Sequence, residues 1–139
     1  MNTESVVSDF KNCVDKLFIE AYVVSVYDGD SLKLIFPFHG KDYKWTCRLN
    51  GIDTPEIRTS ELKEKGFGLK IRDIVREKIL NKKFNILCHS FDKYGRLLVD
   101  LYLQEEDTLN NWLITQKYAV AYDGGKKQSW ADMLTIIGN

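Results

Sequence analysis

Apolar and polar residues alternate with period two in several short stretches, the signature of half-buried strands, and change once to a long stretch of helical period. Tyr22 to Tyr27 and Ser31 to Phe36 are rich in β-branched and aromatic residues and flank Asp28-Gly29, a dipeptide that predicts a two-residue hairpin turn. A third strand, Tyr43 to Leu49, is expected after the Pro37 to Asp42 turn. Gly51 to Ser60 has no consistent period, whereas Glu61 to Leu80 spaces Phe67, Ile71, Ile74, Val75 and Ile79 as one face of a helix. Phe84 to Ser90 and Arg96 to Leu103 form a second hairpin, the latter with Leu97, Val99, Leu101 and Leu103 on one face, joined by the turn Phe91 to Gly95. Short helices are expected from Asp107 or Thr108 to about Gln116, and from Ser129, whose spacing to Asp132 suits a capping box. Another amphipathic turn or two is expected between Ser5 and Leu17.

Three strands, a helix and two more strands is the element order of an OB-fold, a five-stranded, partly open Greek-key barrel. The expectation is therefore an α+β chain, one domain over residues 1–139, with about three helices packed on the barrel. The length suits one core, and 44% hydrophobic with 29% charged residues is the balance of a globule rather than of a disordered tail. No apolar run reaches the roughly 18 residues that cross a bilayer, and the start lacks the layout of a secretory signal, so an intracellular protein or a processed form is expected. Cys13, Cys47 and Cys88 are odd in number and widely spaced, which predicts buried free thiols rather than disulfides or zinc ligands. Twenty basic and twenty acidic residues cancel, so attraction of a polyanion must be local.

Three polar clusters sit at the expected strand ends. In Asp28-Gly29-Asp30 the first two residues meet ordinary turn chemistry, but Asp30 shares the parity of Leu32, Leu34 and Phe36 and so points inward, where a carboxylate needs a partner or a metal. The spacing excludes an EF-hand, since Leu32 and Lys33 fall where a ligand and a glycine are required. The second cluster runs from Arg48 through Asp53-Thr54-Pro55-Glu56; a helix cap at Asp53 or Thr54, with Pro55 in the first turn, is the alternative. The third is Asp92-Lys93-Tyr94-Gly95-Arg96, for which a solvated turn is the alternative. Attack on a phosphodiester adds charge to an anion, so a hydrolytic site combines a hard cation, guanidinium donors and a group that activates water. Carboxylates and a backbone carbonyl, without nearby Cys or His, suit Ca²⁺ or Mg²⁺.

Asp28-Gly29-Asp30, then Arg48, then Asp53-Thr54-Pro55-Glu56, then Asp92-Lys93-Tyr94-Gly95-Arg96, four blocks in this order and between these strands, closely resemble the staphylococcal nuclease (thermonuclease) family, over roughly Tyr22 to Tyr122. The resemblance implies a Ca²⁺-dependent nuclease, with Mg²⁺ or Mn²⁺ as alternative ions, that hydrolyses DNA and RNA, preferably single-stranded, and leaves 3′-phosphate ends. It implies metal binding by the carboxylates of Asp30 and Asp53 and the carbonyl of Thr54, with Asp28 as an acid behind them. Glu56 would activate water, Arg48 and Arg96 would clamp the phosphate, and Lys93 and Tyr94 would help bind the nucleotide. Tyr122, or else Tyr118, would meet the substrate. The protein is expected to be a monomer without a membrane partner.

The neutral charge departs from the basic type member of that family. The bases between Lys63 and Lys83 alternate with Glu61, Glu64, Asp73 and Glu77, as on a solvated helix. His39 and His89 lie far from the clusters, and Trp45, Trp112 and Trp130 are read as core. The rival function is a catalytically silent OB-fold module that binds nucleic acid or a protein. Inward acids repel phosphate and would serve no purpose in such a binder.

Overall fold

A computed structural model of the chain describes residues 16–138. Expectations for Cys13 and for most of the segment Ser5 to Leu17 lie outside the described residues. Five long strands carry the fold: β1 (Phe18–Val26), β2 (Ser31–Phe38), β3 (Lys41–Leu49), β5 (Lys83–Phe91) and β6 (Leu97–Gln104). Three two-residue bridges accompany them, β4 (Ile52–Asp53), β7 (Asp107–Thr108) and β8 (Val120–Ala121), with helices α1 (Leu62–Ile79), α2 (Leu109–Thr115) and α3 (Trp130–Leu134). The long strands follow the order β3-β2-β1-β5-β6, and a parallel pairing of β3 with β6 closes the ring into the expected barrel.

Period-two patterning produces the interior. Leu32, Leu34 and Phe36 on β2 and Leu97, Val99 and Leu101 on β6 all face inward, packed with Val23, Leu49 and Ile86. Ile71, Val75 and Ile79, spaced by three and four residues, bury one stripe of α1 against this ring. Each fully buried Leu or Ile of this kind contributes about 2 to 5 kcal/mol relative to alanine. Cys47 and Cys88 are buried free thiols, as expected, and burial pushes Cys88 up to about 12. Trp45 is buried and stacks on Phe36 at a centroid distance of 5.1 Å, while Trp112 and Trp130 pack on the core's margin.

One expectation is corrected. Asp28-Gly29 does not form a two-residue turn: Val26 pairs with Leu32, the Tyr27 amide donates to the Ser31 carbonyl, and the connection is longer. Gly29 is not among the residues with positive φ. Its small size is required instead by crowding, because a Cβ there would lie 2.8 Å from Ile71 Cγ2 and 2.9 Å from Thr54 Cγ2. The helix expected from Glu61 is observed, and the alternative of a cap at Asp53 or Thr54 is not: Glu61 is the N-cap of α1, its carboxylate accepting from the Lys63 amide, and 54–61 is a loop. Further along the chain, the Ser129 hydroxyl caps α3 by accepting from the Asp132 amide.

Two polar ties position the strand ends around the site. Buried Asn110 donates to the carbonyls of Asn50 and Val99 and accepts from the Leu101 amide, fixing α2 to β6 and to the turn after β3. The β4–β8 bridge pairs Asp53 with Val120 and Ile52 with Ala121, bringing Tyr122 beside the same turn.

Candidate functional site

Strand β2 begins one residue after Asp30, and its inward parity places the Asp30 carboxylate just below the barrel's rim, buried as expected. Arg48 lies opposite, since Ser31 pairs with Arg48 on β3. Arg48 Nη2 donates to Asp30 Oδ2 at 3.1 Å, to Asp53 Oδ1 at 3.1 Å and to the Ile52 carbonyl at 3.2 Å. Two carboxylates from separate chain segments therefore meet on one nitrogen, their oxygens no farther apart than twice that distance. Asp30 Oδ2 also accepts from the Thr54 amide, at 3.2 Å, and Oδ1 from the Ser31 hydroxyl, at 3.1 Å. Asp28 lies behind, its Oδ1 accepting from the Asp30 amide at 3.1 Å. Thr54 Oγ1 and Arg48 Nε are buried without a hydrogen-bond partner among the described residues.

The acids of this cluster are driven apart in their titration. Burial pushes Asp28 up to about 8, with the neighbouring Asp30 charge adding to the effect. Burial also acts to raise Asp30, but its bonding to Asp28 and the Arg48 charge outweigh it and hold this carboxyl below its usual range. Asp53 rises to about 6 through burial first and the Asp30 charge second, against the lowering pull of Lys127 and Arg48. One guanidinium thus serves a group of buried acids that repel one another.

Glu56 stands at the edge of this group and is partly exposed. Its amide donates to Glu64 Oε2 at 3.0 Å, which fixes the 54–61 loop to the first turns of α1. Glu64 therefore departs from the solvated face expected of that helix; it is buried. Gly68 admits the same loop, because a Cβ there would lie 2.9 Å from the Pro55 carbonyl oxygen and 3.0 Å from that of Glu56. Lys127, from the segment between β8 and α3, reaches Glu56 Oε1 at 3.0 Å and Asp53 Oδ1 at 3.6 Å. The sequence left Lys127 unassigned; it lies 71 residues from Glu56, and only tertiary structure joins them.

An open cavity of about 700 Å³ adjoins the cluster. Arg48, Lys93, Arg96, Lys126 and Lys127 bring positive charge to its lining, against Asp92 and Asp123. This is the local excess that a neutral chain requires in order to meet a polyanion. Arg96 is anchored on its own turn: Nε donates to Asp92 Oδ2 at 2.8 Å, while Asp92 Oδ1 accepts from the amides of Tyr94 and Arg96. Burial acts to raise Asp92, but these amide bonds and the Arg96 charge prevail and lower it. Tyr94 is exposed, with the Arg96 guanidinium 5.6 Å and Lys93 Nζ 5.3 Å from its ring centroid. Tyr122 lines the cavity with its ring 5.0 Å from the Arg48 guanidinium, whereas Tyr118 packs on Trp112 at 5.9 Å. The geometry thus selects Tyr122 over Tyr118 as the cavity tyrosine.

Residues 46–135 match the family model described as staphylococcal nuclease homologue. The chain belongs to that family. No curated protein matches it. For a member of the staphylococcal nuclease homologue family the barrel is the expected one, and the fold is nuclease-like. Among the described residues no helix is long and apolar enough to cross a membrane.

Among the described residues no three His, Cys, Asp or Glu side chains are arranged as a ready-made metal site. The donor chemistry nevertheless fits a hard divalent cation, because the buried acids offer oxygen ligands alone. Such ions complete their shells with backbone carbonyls and water.

Proposed function

We propose that the protein is a Ca²⁺-dependent, sugar-non-specific nuclease that hydrolyses phosphodiester bonds of DNA and RNA and leaves 3′-phosphate ends, with single-stranded substrate preferred. The single observation that carries this reading is the meeting of Asp30 and Asp53 on Arg48 beside a cavity lined by Arg96. A phosphodiester entering there brings another anion to carboxylates that Arg48 and Lys127 already offset, so a divalent cation would supply the positive charge that the added phosphate requires.

In this reading Asp30, Asp53 and the Thr54 carbonyl hold the ion, and Asp28 stands behind Asp30. The bound ion would offset phosphate charge and lower the pKa of attacking water. Arg48 approaches the phosphate from the buried side, already oriented by its bonds to Asp30, Asp53 and the Ile52 carbonyl. Arg96 approaches from the turn, its Nε tied to Asp92, which leaves its other N–H groups to donate to phosphate oxygens. Fixed donors of this kind stabilise the added negative charge of the transition state without reorganising. Glu56 takes the proton of the attacking water, and Glu64 keeps the Glu56 backbone in place. Tyr94, Lys93 and Tyr122 supply ring faces and a cation along the cavity, which suit unpaired nucleotides better than a stacked duplex.

The deciding experiment is digestion of end-labelled single-stranded DNA and RNA in Ca²⁺, Mg²⁺ or Mn²⁺, followed by end-group analysis. The expected result is cleavage with Ca²⁺, arrest by chelator, 3′-phosphate products, and loss of most activity in Glu56→Ala. Calcium-independent binding of nucleic acid without cleavage would instead establish a silent binding module.

A further inference from the structure

Lys127 belongs to neither the acid cluster's own segments nor the arginine turn, yet it makes the only direct ion-pair contact with Glu56 among the described residues. Its Nζ lies 3.0 Å from Glu56 Oε1 and 3.6 Å from Asp53 Oδ1, so one ammonium joins the carboxylate read as the base to one read as a metal ligand. The side chain is nearly half exposed, which leaves the ammonium a path to solvent. Its backbone belongs to a segment without helix or strand between β8 and α3. That segment is closed on itself: the Tyr122 hydroxyl donates to the Gly125 carbonyl, and the Gly125 amide donates to Asp123 Oδ1. Lys127 is therefore delivered by a locally braced loop, while its flexible stem alone decides where the charge sits.

We propose that Lys127 is a tethered counter-ion that occupies Asp53 and Glu56 in the ion-free protein and is exchanged for the divalent cation when that ion binds. This rests on the reading of the site given above. A carboxylate that gives its lone pairs to an ammonium has fewer to offer an ion, and two cations cannot share these oxygens without repulsion. The exchange keeps the acids paired in both states, and Lys127 already lines the same cavity as Arg48 and Arg96, where a phosphate chain would meet the released ammonium. Because the coupling is reciprocal, the lysine contact weakens ion binding by the same factor by which the bound ion weakens the lysine contact.

Calorimetric titration of Ca²⁺ into the full chain, as wild type, Lys127→Met and Lys127→Arg, tests this without any substrate. The expected result is binding roughly three- to tenfold tighter in Lys127→Met, on the scale of a partly exposed ion pair, with Lys127→Arg near wild type. A second readout avoids substitution altogether. In the wild-type protein, acetylation of Lys127 followed by mass spectrometry should be faster with Ca²⁺ than with chelator. Equal affinities would overturn the proposal, and so would weaker binding in Lys127→Met, which would make the lysine an organiser of Glu56. Acetylation that Ca²⁺ leaves unchanged or slows would overturn it as well. Failure of every variant to bind Ca²⁺ would remove both this exchange and the metal site. Tighter binding in Lys127→Met by a protein that cuts no nucleic acid would leave the exchange standing and sink only the nuclease reading.

Discussion

The two sides of the site are built by opposite means. On one side Asp28, Asp30, Arg48 and Asp53 are buried at strand ends, and each is fixed by hydrogen bonds that also hold the fold. On the other, Lys93, Tyr94, Arg96 and the 123–127 segment sit on exposed or half-exposed loops, tied mainly within their own turns. The buried side cannot change charge without changing stability, whereas the exposed side can lose a contact with phosphate and leave the barrel intact. Function and folding should accordingly separate on the loops and remain joined at the strand ends.

The strongest test of that contrast is Arg48→Met. It would leave Asp30 and Asp53 facing each other without their shared cation, and removal of one partner from a buried pair typically costs about 3 to 5 kcal/mol. Urea unfolding should register that loss, together with loss of cleavage. Arg96→Ala is the counterpart on the loop side. Cleavage should fall a hundredfold or more, the usual effect of deleting one transition-state donor, while unfolding free energy changes by less than about 1 kcal/mol. Equal destabilisation by the two substitutions would erase the contrast.

Smaller effects refine it. Gly29→Ala inserts a Cβ between Ile71 and Thr54 on the buried side, and overpacking of this kind costs about 1 to 3 kcal/mol, readable as a lower Tm. Asp92→Asn probes the loop side through pH. The folded carboxyl lies below its usual range, so its contribution is present above the ordinary carboxylate pKa and is lost as pH falls through the lowered folded value. The variant should therefore be less stable than wild type by about 1 kcal/mol at neutral pH and equal to it in strong acid, as measured by denaturation across that range.

The same division governs how much could be read from the chain. The five long strands and α1 were legible because a buried face imposes a period, and Asp30 was legible as inward because it continues the parity of Leu32, Leu34 and Phe36. The Asp92 turn was legible because its Asx bonds and Gly95, at φ +83°, are local chemistry. Gly29 misled, since crowding by Ile71 and Thr54 leaves the same mark in sequence as a hairpin turn. The two-residue bridges β4 and β8 carry too few residues to show a period, yet they place Tyr122 beside Arg48. Glu64 looked like a solvated charge and Lys127 carried no assignment, and their partners are set by the path of the 54–61 loop and of the segment after β8. Long-range polar contacts leave no periodic trace.

The central claim is that acids from two chain segments act as one cation-binding unit. Calcium titration of wild type, Asp30→Asn, Asp53→Asn and the double variant tests it most directly. The account predicts one ion per wild-type chain, with binding lost in either single variant and no further loss in the double. Undiminished Ca²⁺ binding after either substitution would contradict it.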